Sequence, residues 1–285
     1  MRQFFTKYYL SLVWFFNYTR NIWQLESSRE IERLKSEAVI PLNTFEHKIY
    51  SQHGEDGIIR EIFKRIGTAS NTFFEFGAGA GSENNTIALL IDGWSGWWID
   101  GGDYVDVYRK LFSSSIEENK LFVSNRLVTS QNINSIVTDL GIPKEIDLIS
   151  IDIDGNDYYV WQALEATSAR VVVIEYNGSY PGDMHFLQAE SGSPWNSSNF
   201  FGASLHTLNG LAKKKGYTLV CCDLIGANAF FVRNDLVRER FEHAGDVARI
   251  WQSPKYYLYY NGGAPAVEHG YTPTMGKWVS KERIV

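Results

Sequence analysis

Between residues 72 and 176 short apolar runs alternate with helical patterns. Thr72 to Phe76, Trp97 to Ile99, Leu121 to Val128, Ile146 to Ile153 and Arg170 to Tyr176 each read as strands, the last carrying the unbroken Val171-Val172-Val173-Ile174. Helical patterns over Ile87 to Ile91, Val105 to Phe112, the stretch up to Gly141, and Asp157 to Leu164 separate them. Strands that are apolar throughout and spaced by helices predict a parallel sheet covered on both faces. A helix over Ser204 to Lys215 follows, then Tyr217 to Cys222 and Ala229 to Arg233 around a turn with Gly226, a hairpin that closes the sheet with an antiparallel strand. The expected fold is α/β: a Rossmann-like, mostly parallel sheet of seven strands, last hairpin antiparallel, helices on both faces.

Upstream, Ser51 to Ile66 predicts a helix with the buried stripe Ile58, Ile59, Ile62, Phe63 and Ile66, ended by Gly67. Ser27-Ser28-Arg29-Glu30 reads as a capping box that opens a separate connector helix through Glu37. Residues 3 to 23 are unusually aromatic, with Phe5, Tyr9, Leu12, Phe16 and Trp23 at helical spacing and Trp14 and Tyr18 widening the face. The unbroken apolar part, Tyr8 to Phe16, is far short of the roughly 20 residues a spanning helix needs. This segment either packs on its own domain or a sister subunit, or lies on a membrane surface with Arg2, Lys7 and Arg20 near headgroups.

The 285 residues suffice for one large core with appendages. The division expected is an N-terminal helical extension over 1–40, a ligand-binding domain over 41–237 and an aromatic C-terminal tail over 238–285. A net charge of −6 and the absence of a basic stripe argue against a nucleic-acid partner. Cys221 and Cys222 are adjacent, without metal spacing, and suit a structural pair in the reducing cytoplasm, or at the inner face of its membrane.

The candidate chemistry centres on Asn71 to Thr86, a strand that breaks into Gly77, Gly79 and Gly81 before a helix. Such a turn brings backbone N–H groups close to a ligand. A nicotinamide dinucleotide site wants G-x-G-x-x-G, and here the third glycine comes one residue early. Glu75, two residues before the turn, instead suits a ligand with a cationic amino group, or is satisfied by turn amides. Asp100 ends the second strand, where an acid can take ribose hydroxyls, with Asp103 the expected cap of the next helix. Gln131 or Asn132 could meet an adenine edge, and Asn132 could equally cap a helix. Asp152, Asp154 and Asp157 follow the fourth strand and Glu175 and Asn177 the fifth, on the rim where open α/β sheets bind ligands. Asp157 reads as an N-cap. Asp154, Asp152 and His185, the last in the long polar stretch Asn177 to Gly202, are the candidate catalytic groups. Asp154, Glu175 and Asn177 are candidate ligands for Mg²⁺ or Mn²⁺.

Six segments together carry a resemblance: SQHGEDGII (51–59), FFEFGAGAGSENNT (73–86), GWSGWWIDG (93–101), DLISIDIDGND (147–157), RVVVIEYN (170–177) and GANAFFVR (226–233). Over roughly residues 45 to 235 the chain resembles the FkbM-like class I methyltransferases. Ser150 and Asp154 stand where that family more often has Lys and Glu. The resemblance implies S-adenosylmethionine as cofactor, with Gln52, Glu75, Gly77, Gly79, Gly81, Asn85, Asp100, Asn132 and Asp152 as its contacts. It implies O-methylation of a sugar, polysaccharide component or natural product. A nicotinamide oxidoreductase and a catalytically inactive membrane-associated scaffold are the alternatives.

Overall fold

The structure, a computed structural model, describes residues 2–81, 83–190, 199–258, 260–261 and 264–265, the side chains of 2–12, 16, 260–261 and 264–265 excepted. Phe5, Tyr9, Leu12, Phe16, Ser82, part of the long loop after the fifth strand and most of the aromatic tail therefore lie outside the described side chains or residues.

Helix α1 spans Arg2–Ser36 and α2 spans Glu55–Ile66. The sheet then alternates with helices: β1 Thr72–Phe76, α3 Ile87–Ile91, β2 Ser95–Asp100, α4 Val105–Leu111, α5 Ser113–Glu117, β3 Leu121–Asn125, α6 Ile133–Asp139, β4 Glu145–Ile151, α7 Asp157–Ala163 and β5 Ser168–Glu175. Helix α8 (Leu205–Lys215) leads into β6 (Tyr217–Cys222) and β7 (Asn228–Arg233). The strand order is β3-β2-β1-β4-β5-β7-β6, parallel throughout except for β7, which runs antiparallel to both neighbours. The central strands are buried on both faces, as their sequences predict, whereas the edge strand β3 leaves Phe122 exposed. Phe73, Phe74, Phe76, Trp98, Leu148 and Val171 to Ile174 are all inaccessible.

The order in which successive strands are added reverses between β1 and β4, which lie side by side and parallel at the centre. Such a switch point opens a crevice beyond the strand C-termini. Both ends of the crevice are tied to the sheet. Gly77 and Ala78 N–H donate to Ile99 O of β2, and Asp152 N–H donates to Phe76 O of β1.

Several local expectations need correction. Residues 27–30 do not cap a helix: α1 runs straight through them, and Ser28 Oγ donates to Gln24 O, one turn back. Arg29–Glu26 and Arg33–Glu30 pairs lace this stretch and favour continuation over a break. The helix expected from Ser51 starts only at Glu55, because Asp56 Oδ2 gathers the Ile49, Tyr50 and Ser51 N–H groups and folds residues 49–54 into a turn. Asp103 caps nothing, since α4 is preceded by Tyr104, and Gly102 N–H goes to Asp100. The C-terminal tail opens on a single 3-10 turn, Arg238–Arg240, with a short helix later at Val247–Ile250.

Candidate functional site

The glycine turn is shaped by close approach. Gly77 has φ +79°, and a Cβ there would stand 1.4 Å from Asp152 O, inside the end of β4. Only glycine lets β1 and β4 come this near. Gly77→Ala is expected to cost about 2–5 kcal/mol, from strain at positive φ and a backbone overlap. Chemical denaturation measures this loss, and a change below 1 kcal/mol would show that the two strand ends part readily. Gly79 also has positive φ, but a Cβ there would meet nothing within 4 Å, so this residue faces open space.

That space is a cavity of about 160 Å³ beyond β1 and β4, lined by Gln52, Glu55, Glu75, Asn84, Asn85, Asp152, Asn228 and the turn from Gly77 to Ala80, with Glu83 at its edge. Its wall is acidic, and its carboxylates differ in how far they are already used. Glu75 is buried. Asn85 N–H donates to its Oε1 at 2.9 Å, and the Thr86 hydroxyl, itself held by Trp98 Nε1–H, donates to its Oε2. Burial raises the Glu75 pKa, and these bonds moderate the rise. Both of its oxygens thus serve the turn.

Glu55 is fully buried at the start of α2. His53 and Gly54 N–H donate to Oε2, Asn228 Nδ2 donates to Oε1 at 2.8 Å, and His53 Nδ1 stands 3.4 Å from Oε1. Burial alone would push its pKa up, but the His53 hydrogen bond and charge, with the backbone amides, outweigh that and hold it well below the usual range. Behind it Asp223 accepts Gly226, Ala227 and Asn228 N–H groups, and burial pushes its pKa up to about 6. Residues 51–57 are thereby fastened to the β6–β7 turn, and Glu55 brings a fixed negative charge to the cavity.

Asp152 is the free acid. Its side chain is exposed in the crevice, and its carboxylate makes no hydrogen bond among the described residues. Burial pushes its pKa well above the ordinary value, and the nearby Asp157 and Asp154 charges add to this. Glu175, at the end of β5, has no hydrogen bond among the described residues either, and burial followed by Asp152 raises its pKa in the same direction. Single oxygens of Asp152, Asp157 and Glu175 all lie within 4.8 Å of one another. Charge on either of these carboxylates thus disfavours ionisation of the other.

The remaining candidates divide. Asn85 Nδ2 donates to Ser150 Oγ at 3.0 Å, locking the start of α3 to β4 at one of the two positions where the FkbM-like pattern differs. The Asn84 amide is buried in the cavity wall. It lies close enough to lower the Glu75 pKa but makes no hydrogen bond of good geometry. Asp100 Oδ2 accepts from Gly79 N–H at 2.8 Å and Oδ1 from Gly102 N–H, so it braces the turn from outside the cavity lining. The Tyr108 hydroxyl donates to Gly79 O from the same side.

Asn132 closes its own turn, accepting from Thr129 N–H and donating to Leu127 O. Gln131 lies exposed beside Glu190. Asp157 is not an N-cap but folds back to accept Ile153 and Gly155 N–H at 2.9 Å, shaping the turn. Asp154 sits exposed at that turn's tip with φ +57° and does not join the carboxylate group, where Asp157 takes its place. Asn177 does not join it either. Its amide donates to Asn199 O and Phe201 O and accepts from Ser179 N–H, pinning the long loop's two ends. His185 is exposed and pairs with the His206 ring at 6.4 Å, outside the cavity lining.

Comparison with solved structures finds distant, partial likenesses to methyltransferases. Magnesium protoporphyrin IX methyltransferase from Synechocystis PCC 6803, solved with bound SAH, aligns at 10% identity over 63% of this chain and 81% of its own, with a TM-score of 0.41. A putative caffeoyl-CoA O-methyltransferase from Staphylococcus aureus aligns at 14% identity over 76% of this chain and 98% of its own, with a TM-score of 0.46. An O-methyltransferase from neocarzinostatin biosynthesis, solved with S-adenosylmethionine, aligns at 16% identity over 57% of this chain and 49% of its own, with a TM-score of 0.36. This chain thus spans about half the length of that last enzyme. These are likenesses of fold. No family model and no curated protein matches the chain.

Proposed function

We propose that this chain is an S-adenosylmethionine-dependent O-methyltransferase of FkbM-like type, acting on a hydroxyl of a sugar, a polysaccharide component or a natural product. The observation that carries the reading is the unbonded Asp152 carboxylate, which opens into an acidic cavity between a glycine turn and the ends of β1 and β4. S-adenosylmethionine supplies an electrophilic methyl group on a sulfonium, and its other end is a zwitterion. The residues present fit it. Asp152, with the fixed charge of Glu55 behind it, offers acceptors to an ammonium. The buried Asn84 amide, without a well-formed hydrogen bond, offers a donor to a carboxylate. Asp100 keeps a second lone pair on each oxygen for ribose hydroxyls.

A hydroxyl is a weak nucleophile until its proton is taken. The close acids Asp152 and Glu175 have raised pKa values, so the pair takes up one proton before both ionise, and the ionised member accepts the acceptor's proton. A divalent cation is the second reading, favoured by three oxygens in reach of one point. Both Asp157 oxygens are already committed to backbone N–H groups, so a shared proton accounts for the cluster with fewer demands. The test is transfer of a labelled methyl group to a panel of glycans and hydroxylated small molecules, in EDTA and with Mg²⁺ restored. Ether-linked label that persists in EDTA and disappears in Glu175→Gln is the expected result. Loss in EDTA with recovery in Mg²⁺ would replace the shared proton by the metal, and label found only on nitrogen would overturn the O-methyl reading.

A further inference from the structure

Helix α1 is the longest element of the fold, 35 residues, or roughly 50 Å at about 1.5 Å per residue. Among the described residues it meets the domain mainly against residues 41–45 and 256–258. Over residues 13–25 every described side chain is exposed except Trp23, which is half-buried. Trp14, Tyr18, Ile22 and Leu25 follow one another at spacings of four, four and three along one face, with the Trp14 and Tyr18 rings stacked at 5.3 Å. Val13 and Phe15 are exposed beside them. A helix that exposes this much apolar surface marks an interaction site.

Charge distinguishes the possible covers. Residues 1–25 hold Arg2, Lys7 and Arg20 and not one acid, in a chain whose net charge is −6. Acidic residues start only at Glu26, where the helix approaches the domain. Trp and Tyr rings with interspersed cations are the composition that settles at the headgroup level of an anionic bilayer. No helix among the described residues is long and apolar enough to cross a membrane.

We propose that residues 1–25 form an arm that lies on an anionic lipid surface and holds the domain beside it. This does not rest on the methyl-transfer reading. The test is co-sedimentation of the full chain with phosphatidylcholine vesicles, with and without about one third phosphatidylserine, alongside the solution mass. The expected result is binding that rises at least about tenfold with phosphatidylserine, weakens in high salt and drops by a similar factor in Trp14→Ser/Tyr18→Ser and in Arg20→Glu. These positions are exposed, so circular dichroism should show all variants folded. Equal binding to neutral and anionic vesicles, or none to either, overturns the proposal. So does a stable dimer without lipid that Trp14→Ser/Tyr18→Ser dissociates, because a second copy would then be the cover.

Discussion

Asp152→Asn is expected to raise the melting temperature near neutral pH while cutting turnover by roughly 10²–10⁴-fold, the usual scale for loss of an acid–base group. The two effects share one cause. Burial holds the Asp152 pKa well above its ordinary value, so the folded protein keeps a proton that the unfolded chain releases. Stability therefore falls as pH climbs from the unfolded pKa, about 3.9, towards the folded one. Asparagine titrates nowhere in this range. Its stabilisation is present at neutral pH and disappears as pH falls to about 3.9 and below. Because Asp152 opens to water in the crevice, the gain is small. Glu175→Gln moves the same way. Thermal melts at pH 4 and pH 8 beside methyl-transfer rates check this, and a destabilised Asp152→Asn protein at pH 8, or one with unchanged turnover, would contradict it.

Glu55→Ala should act in the opposite sense, costing about 3–5 kcal/mol, the range for removing one partner of a buried charged network. It strips the acceptor from two backbone N–H groups and the Asn228 amide, and removes the carboxylate facing His53. The Glu55 pKa is lowered in the fold, so its contribution is complete above the unfolded value of about 4.3 and is lost as pH falls towards the folded one. Denaturant curves at pH 7 and pH 4 should show the gap between parent and variant narrowing at the lower pH. A loss below 1 kcal/mol at pH 7 would mean that residues 51–57 are held by something other than this network.

The sheet was legible because its central strands are buried on both faces. Val171 to Ile174 and Ile146 to Ile151 carry apolar residues on both faces, which marks a strand covered on both sides. The crevice was legible from the same pattern, since strand C-termini and the glycine turn fix where it opens, and Asp152 and Glu175 do meet there. What the sequence hides is the commitment of each side chain. Asp154 and Asp157 look alike in IDIDGND, and only the turn geometry sends one outward and folds the other back onto Ile153 and Gly155. Glu55 reads as an ordinary first-turn acid, and its partner Asn228 lies 173 residues away. Asn132 and Asn177 stand at the right rim, but their amides satisfy nearby backbone groups, a local demand that no spacing rule reports. The break expected at Ser27 fails because i,i+3 and i,i+4 ion pairs stabilise the uninterrupted helix.

Calorimetric titration with S-adenosylmethionine and with NAD tests the central claim most directly, because it needs no acceptor. One S-adenosylmethionine per chain is expected, with binding weakened at least about tenfold in Asp152→Asn, the scale of one charge-assisted hydrogen bond, and no heat from NAD. Binding of NAD in its place, or S-adenosylmethionine affinity indifferent to Asp152, would contradict the assignment of this cavity.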